Sequence, residues 1–250
     1  MKQKNIIFFL AVVLIVIACI VILVMGLLQQ QRLPKVALVI DDWGYNLKNI
    51  ELLRSIDIPL TLSILPNLKY SKEIAQEQRF KNRQIILHMP MEPVSNFIKV
   101  EENTITTDMN KEQIADIFYR DLNAVPGAKG ASNHMGSKFT ADQGAMNIFL
   151  KLLKKKRLFF IDSASAKNSV CGDTASDVGV KFARRDVFLD NMDDANYIKG
   201  QLHQLIEIAE RRGKAIGTGH DRKKTLEVIK ELAPELKNKV RFVLVSELVE

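Results

Sequence analysis

Short apolar runs alternate with helix-length amphipathic segments about seven times along this chain, and few folds accept such an order. The runs fall at 36–40, 60–65, 84–87, 128–132, 158–161, 180–183, 215–218 and 240–245. Apolar runs of this length, rich in β-branched residues, read as strands covered on both faces. Helices are predicted between them, near 46–55, 71–82, 110–123, 140–156, 170–178, 193–212 and 223–232. In the third of these, Ile114, Ile117, Phe118 and Leu122 recur at helical spacing. Pro59, Pro66 and Pro234 punctuate element ends. The order predicts βα units around a parallel sheet or barrel. Residues 94–109 break the rhythm. They show no clear period, and they predict an excursion over the strand ends with a small hairpin at 104–107.

The chain has 250 residues and a formal charge of +7. Its lysines and arginines are spread out, and no basic run is interleaved with aromatic residues, which argues against nucleic acid as a partner. At most, the charge gives a mild attraction to anionic envelope polymers. Cys19 and Cys171 have no metal-ligand spacing, and Cys19 lies in an apolar segment, so the fold is expected to stand without a disulfide.

The N-terminal segment divides naturally. Residues 1–5 carry Lys2 and Lys4, residues 6–28 carry no charge, and 29–34 form a polar linker to a domain over 35–250. At 1.5 Å per residue the uncharged run would span about 35 Å as a helix, enough for a hydrocarbon core. It exceeds a signal-peptide apolar region, and no small-residue cleavage site follows it. Val16-Ile17-Ala18-Cys19 resembles a lipobox, but Ile20 onward stays apolar where a mature lipoprotein turns polar. The expectation is an uncleaved, single-pass anchor in the cytoplasmic membrane. Lysines ahead of it place the main domain on the periplasmic or extracellular side.

Polar residues recur where the strands end: Asp41 and Asp42, Asn67, His88, Asn133 and His134, Asp162 and Ser163, Arg185 and Asp186, His220, and Ser246. In parallel α/β sheets, chemistry collects at the carboxyl ends of strands. The pair Asp41-Asp42 alone could be a helix cap. Of the four histidines, however, His88, His134 and His220 close predicted strands, while His203 sits mid-helix among polar neighbours. Imidazole and carboxylate donors suit a divalent cation, and Asp42, His88 and His134 make such a set. Asp41 is then placed to take a proton from a water and His220 to protonate a leaving group. Together these describe metal-assisted hydrolysis of an amide or ester. Arg185 could hold Asp41 ionised or bind substrate. Asn67, Glu92, Asn133, Ser137, Asp162 and Asp190 are further candidates for substrate contact, with a supporting role open for Asp162 and Asp190.

Six segments carry a resemblance: Val39-Ile40-Asp41-Asp42-Trp43-Gly44-Tyr45; Leu62-Ser63-Ile64-Leu65-Pro66-Asn67; Leu87-His88-Met89-Pro90-Met91-Glu92-Pro93; Asn133-His134-Met135-Gly136-Ser137-Lys138-Phe139-Thr140; the stretch from Arg184 to Asn191; and Gly219-His220. Together they closely resemble the divergent polysaccharide deacetylase family, related to the chitooligosaccharide-deacetylase-like (NodB-like) carbohydrate esterases. The resemblance implies a distorted (β/α)7 barrel, a divalent metal with Zn2+ expected, and a carbohydrate polymer or oligosaccharide as substrate. It implies Asp41 as base, Asp42 as ligand and His220 as general acid. The wider superfamily takes two ligands from one H-x-x-x-H motif. Here His88 is followed four residues on by Glu92, so His134 is expected to replace the missing ligand. The implied activity is removal of N- or O-acetyl groups. The alternative is a membrane-anchored, non-catalytic module that binds glycan or an envelope partner.

Overall fold

The computed structural model describes residues 33–77, 82–97 and 99–250, with positions 13, 16, 17, 19, 20 and 21 ahead of them. The expected tail (1–5), all but those six positions of the membrane-spanning run (6–28) and most of the linker (29–34) lie outside these residues. No helix among the described residues is long and apolar enough to cross a membrane.

The predicted runs form a nine-stranded sheet in which every pair is parallel. Its strands are β1 (Lys35–Trp43), β2 (Leu60–Ile64), β3 (Arg83–Met91), β4 (Gly130–Met135), β5 (Phe159–Asp162), β6 (Phe182–Arg184), β7 (Val187–Phe188), β8 (Lys214–His220) and β9 (Arg241–Val243). The helices are α1 (Ile50–Arg54), α2 (Ser71–Ala75), α3 (Lys111–Ala124), α4 (Gln143–Lys155), α5 (Cys171–Val178), α6 (Ala195–Arg212) and α7 (Lys223–Leu236). The strand order is β6-β5-β4-β3-β2-β1-β8-β7, with β9 beside the start of β1.

The sheet curls into a half-barrel, which modifies the expected (β/α)7 ring. The predicted strand at 180–183 is realised as β6, a second short strand, β7, follows it at 187–188, and the two do not pair with each other. Between them Arg185 N donates to Asp162 O at 3.0 Å and Asp186 N to Ile216 O at 2.8 Å, so one bent segment touches both ends of the sheet. Two other expectations change. Residues 104–107 form no hairpin: Ile105 lies parallel to β3, its N–H on Pro90 O and its carbonyl on Glu92 N, both at 3.0 Å. The final helix continues through Pro234 to Leu236, because a proline in the last turn removes only one backbone bond.

Alternation along β1 separates two apolar layers. Val36, Leu38 and Ile40 face the helices; Ala37 and Val39 face the inside of the curl with Ile86, Phe159, Ile161 and Ile216. Val245 and Leu248, at the C-terminal 3-10 turn (Val245–Glu247), close the inner layer from below. Above it stands a fully buried hydroxyl layer of Ser63, Ser132 and Thr218, and above that the titratable residues. On the outside, Phe149 of α4 meets Phe118, Phe139 and Phe160 edge-on at 5.8, 6.5 and 5.8 Å. Truncating such a side chain leaves a cavity among rigid partners. Phe149→Ala is therefore expected to cost about 3–5 kcal/mol in urea denaturation. A loss below about 1 kcal/mol would mean that this cluster repacks freely.

Candidate metal centre and active site

Adjacent residues of a regular strand point to opposite faces, so Asp41 and Asp42 should not share a site. They do, because the backbone departs from the strand at the second of them. Asp42 has φ 65°, and the β1–β2 register slips between Ile40 and Trp43. Aspartate is one of the few residues that tolerates this left-handed region. Asp41 points inward in step with Val39, and the twist turns Asp42 to meet it. Left-handed φ recurs at Met135, the last residue of β4, and at Asn67 and Ala164, just past the ends of β2 and β5. Strain of this kind concentrates at functional sites.

Two imidazoles converge on one oxygen of Asp42. His88 Nε2 lies 3.3 Å from Asp42 Oδ1 and His134 Nδ1 lies 3.1 Å from the same oxygen. The rings meet edge to face with centroids 5.0 Å apart. Register explains the meeting: β3 and β4 pair with His88 beside Ser132 and Pro90 beside His134, which puts His134 one pleat further up the same face. One donor atom from each of Asp42, His88 and His134 falls within 4.8 Å of the others. Neither histidine contact has hydrogen-bond geometry, and Asp42 Oδ1 is buried without a donor. Such an orphaned carboxylate oxygen facing two imidazole nitrogens fits a divalent cation. Burial opposes ionisation of Asp42, but His134 and His88 outweigh it and hold the carboxyl well below the usual carboxylate range.

Behind His88 runs a buried relay that the polar strand ends did not signal. His88 Nδ1 lies 2.9 Å from Ser132 Oγ, which lies 2.7 Å from Ser63 Oγ. A ligating histidine is commonly fixed through its other nitrogen. Ser132 stands two residues before His134, so the strand period was the available clue. Ser132→Ala is expected to lower divalent-metal affinity about 10–100-fold, measured by chelator competition. Unchanged affinity would show that packing alone holds the ring.

Asp41 is 4% exposed, with Oδ1 lacking any donor and 3.8 Å from His88 Nδ1. Arg185 makes no direct ion pair with it among the described residues. The guanidinium donates to Thr218 Oγ1 at 3.2 Å and lies over the Phe188 ring at 4.3 Å, with burial lowering its pKa against the pull of Asp41, Asp162 and Asp190. His220 faces the cluster, its Nε2 3.8 Å from Asp42 Oδ2. Its Nδ1 is held by Asp190 Oδ1 at 2.8 Å. Burial disfavours the imidazolium, but Asp190, Asp42 and Asp41 prevail and raise the His220 pKa. Asp190 is fully buried and also accepts from His220 N and Thr225 Oγ1. Its carboxylate therefore orients His220 and is closed to substrate.

The remaining candidates stand apart from the cluster. Glu92 accepts from Lys138 Nζ at 2.7 Å and from Thr107 N and Oγ1 at 2.9 and 2.8 Å. Asn67 donates to Asp121 at 2.7 Å. Asn133 donates to Met135 O and Ser165 Oγ and accepts from Ser163 N. Asp162 accepts from Ala164 N and Ser169 Oγ, both at 2.8 Å. Ser137 Oγ accepts from Val94 N at 2.9 Å. These groups shape the loops that frame the site. Asp221, absent from the sequence-derived set, donates its N–H to Asp41 O at 2.9 Å, and burial with the nearby Asp42 charge raises its carboxyl to about 6. Cys171 is buried, and that burial pushes its thiol up to about 12, in keeping with an inert side chain.

A curled parallel α/β sheet, with an Asp/His cluster at its carboxyl end and a buried Asp–His pair beside it, defines a protein with a polysaccharide-deacetylase-like fold. The chain belongs to the divergent polysaccharide deacetylase family, which its residues 38–249 match. An uncharacterized protein of Haemophilus influenzae is 36% identical over 195 residues, covering 78% of this chain and 69% of the relative. The fold is similar to the crystal structure of an uncharacterized protein from Agrobacterium tumefaciens, with TM-score 0.83, 24% identity, and coverage of 87% of this chain and 90% of that one. It is also similar to the catalytic domain of peptidoglycan N-acetylglucosamine deacetylase from Eubacterium rectale, with TM-score 0.50, 12% identity, and coverage of 85% and 88%.

Proposed function

We propose that this protein is a metal-dependent hydrolase that removes N- or O-acetyl groups from a cell-envelope polysaccharide. The observation that carries this reading is the convergence of Asp42, His88 and His134 next to a separate buried carboxylate, Asp41, and an oriented imidazole, His220. Family membership and the fold shared with a peptidoglycan deacetylase support the same class of substrate.

Asp42, His88 and His134 would hold the cation, and their nitrogen and oxygen donors suit Zn2+. A cation bound there lowers the pKa of water and polarises a carbonyl oxygen. Asp41 accepts the proton released as water attacks the acetyl carbonyl carbon. Asp190 fixes the His220 ring so that Nε2 faces the reacting group and gives a proton to the leaving amine or alcohol. Arg185, its guanidinium over the Phe188 ring and bonded to Thr218 Oγ1, places a positive charge beside the site.

The test is metal analysis of the purified full chain, followed by acetate release from acetylated envelope glycans. Stoichiometric metal with acetate release supports the reading. No bound metal, or metal retained after combined His88→Ala and His134→Ala, overturns it. Glycan affinity without acetate release would assign the chain to the binding-module class instead. The uncharged run 6–28 behind Lys2 and Lys4 supports a single-pass anchor with the domain on the periplasmic or extracellular side. Extraction of the full chain from membranes by alkaline carbonate would overturn the anchor.

A further inference from the structure

Because all strands run the same way, one end of the molecule gathers every strand start and the other every strand finish. The finishing end holds Asp41, Asp42, Asp162, Asp190 and Asp221. The starting end is cationic: Lys35 opens β1, Lys129 precedes β4, Arg157 precedes β5, Lys181 precedes β6, and Lys214 opens β8. Lys214 is paired with Glu250. Lys129, Lys154, Arg157 and Lys181 have no ion pair among the described residues. They surround a cavity of about 580 Å³ between the sheet and the C-terminal turn, with Phe159 and Val180 in its wall and no carboxylate residue lining it.

Helix C-termini attract cations, and this accounts for Lys154 and Lys155 in the last turn of α4. It does not account for Lys129 and Lys181, which stand directly before their strands. Arg157 takes φ 58° in a position that usually favours glycine or asparagine. Lys154 is held in place by the Val178 carbonyl, 2.6 Å from its Nζ.

We propose that this cationic cavity docks phosphate-bearing headgroups of an anionic membrane surface. Charge complementarity is the first ground. The second is chain length. The uncharged run ends at residue 28, and β1 begins at Lys35 on this same end of the sheet. The six residues between can span at most about 20 Å. A run seated in a bilayer therefore keeps the strand-start end near the headgroups and turns the Asp/His cluster away from them. The inference concerns the opposite end of the molecule from the proposed active site and holds whether or not that site is catalytic.

The test is hydrogen–deuterium exchange on the full chain reconstituted in vesicles. Phosphatidylglycerol-containing vesicles are expected to slow exchange over 151–158 and 179–182 relative to pure phosphatidylcholine. About 0.5 M NaCl should abolish the difference, because that salt shortens electrostatic reach to a few Å. Each lysine or arginine at an anionic surface strengthens docking roughly fivefold, so combined K129Q, R157Q and K181Q should weaken it about a hundredfold. The salt arm decides the matter if that variant does not fold. Equal protection on both vesicle types would overturn the proposal. So would equal protection by inorganic phosphate without vesicles, which would mark a site for the free anion, or protection only by an anionic glycan.

Discussion

Purified His134→Ala is expected to lose its divalent metal, with affinity at least about a hundredfold below the native chain and acetate release falling to background. The reason lies in the geometry. His134 Nδ1 is one of three donors, with Asp42 and His88, and the other nearby imidazole, His220, is held by Asp190 and faces the second Asp42 oxygen at 3.8 Å. Glu92 occupies the place where a second histidine would follow His88 at H-x-x-x-H spacing, and it offers an informative second variant. Its carboxylate is tied to Lys138 and Thr107, away from the cluster. Adding Glu92→His to His134→Ala should therefore fail to restore metal. Isothermal titration with Zn2+ on both variants checks the pair. Restoration by Glu92→His would show that the β3 loop can swing inward and that His134 is dispensable.

Asp41→Asn is expected to separate metal binding from turnover. Asp41 lies outside the three-donor set, so the variant should keep stoichiometric metal. Its turnover should drop about 10²–10⁴-fold, the range for losing a positioned base. Loss of metal as well would mean that Asp41 is a ligand. Undiminished acetate release would exclude it as the base. Asparagine keeps the shape of the buried side chain, so thermal unfolding should shift little and serves as the control for folding.

How much of this was legible in the sequence depends on what each residue's role rests on. His88, His134 and His220 could be placed together because parallel strands share one carboxyl end, and period and strand order are sequence properties. The meeting of Asp41 and Asp42 could not be derived from period, since alternation sends neighbours to opposite faces. Only the left-handed backbone at Asp42 resolves it. Asn67, Asn133 and Asp162 look the same in sequence as the cluster residues. Their difference is one of partners: short bonds to a buried helix carboxylate or to loop groups occupy them. The relay from His88 through Ser132 to Ser63 was hidden because serines in strands carry no pattern of their own. The split between β6 and β7 was hidden for another reason. A run of a few apolar residues does not say whether it pairs with one neighbour throughout or changes neighbour midway.

The donor residues stand on three separate strands, β1, β3 and β4, which long loops and helices separate in the chain. An H-x-x-x-H pair comes from one short segment and fastens that segment to its ion. The arrangement here works as a clasp. His88 and His134 are brought together only when β3 and β4 are in register, and Asp42 only when β1 has taken its turn. Assembling the donors is thus inseparable from closing the loops between them, so a cation held there would make folding and ion affinity linked quantities. A substitution that loosens β3–β4 pairing far from any donor should register as weakened ion binding, and a saturating ion should lend the whole sheet resistance to unfolding.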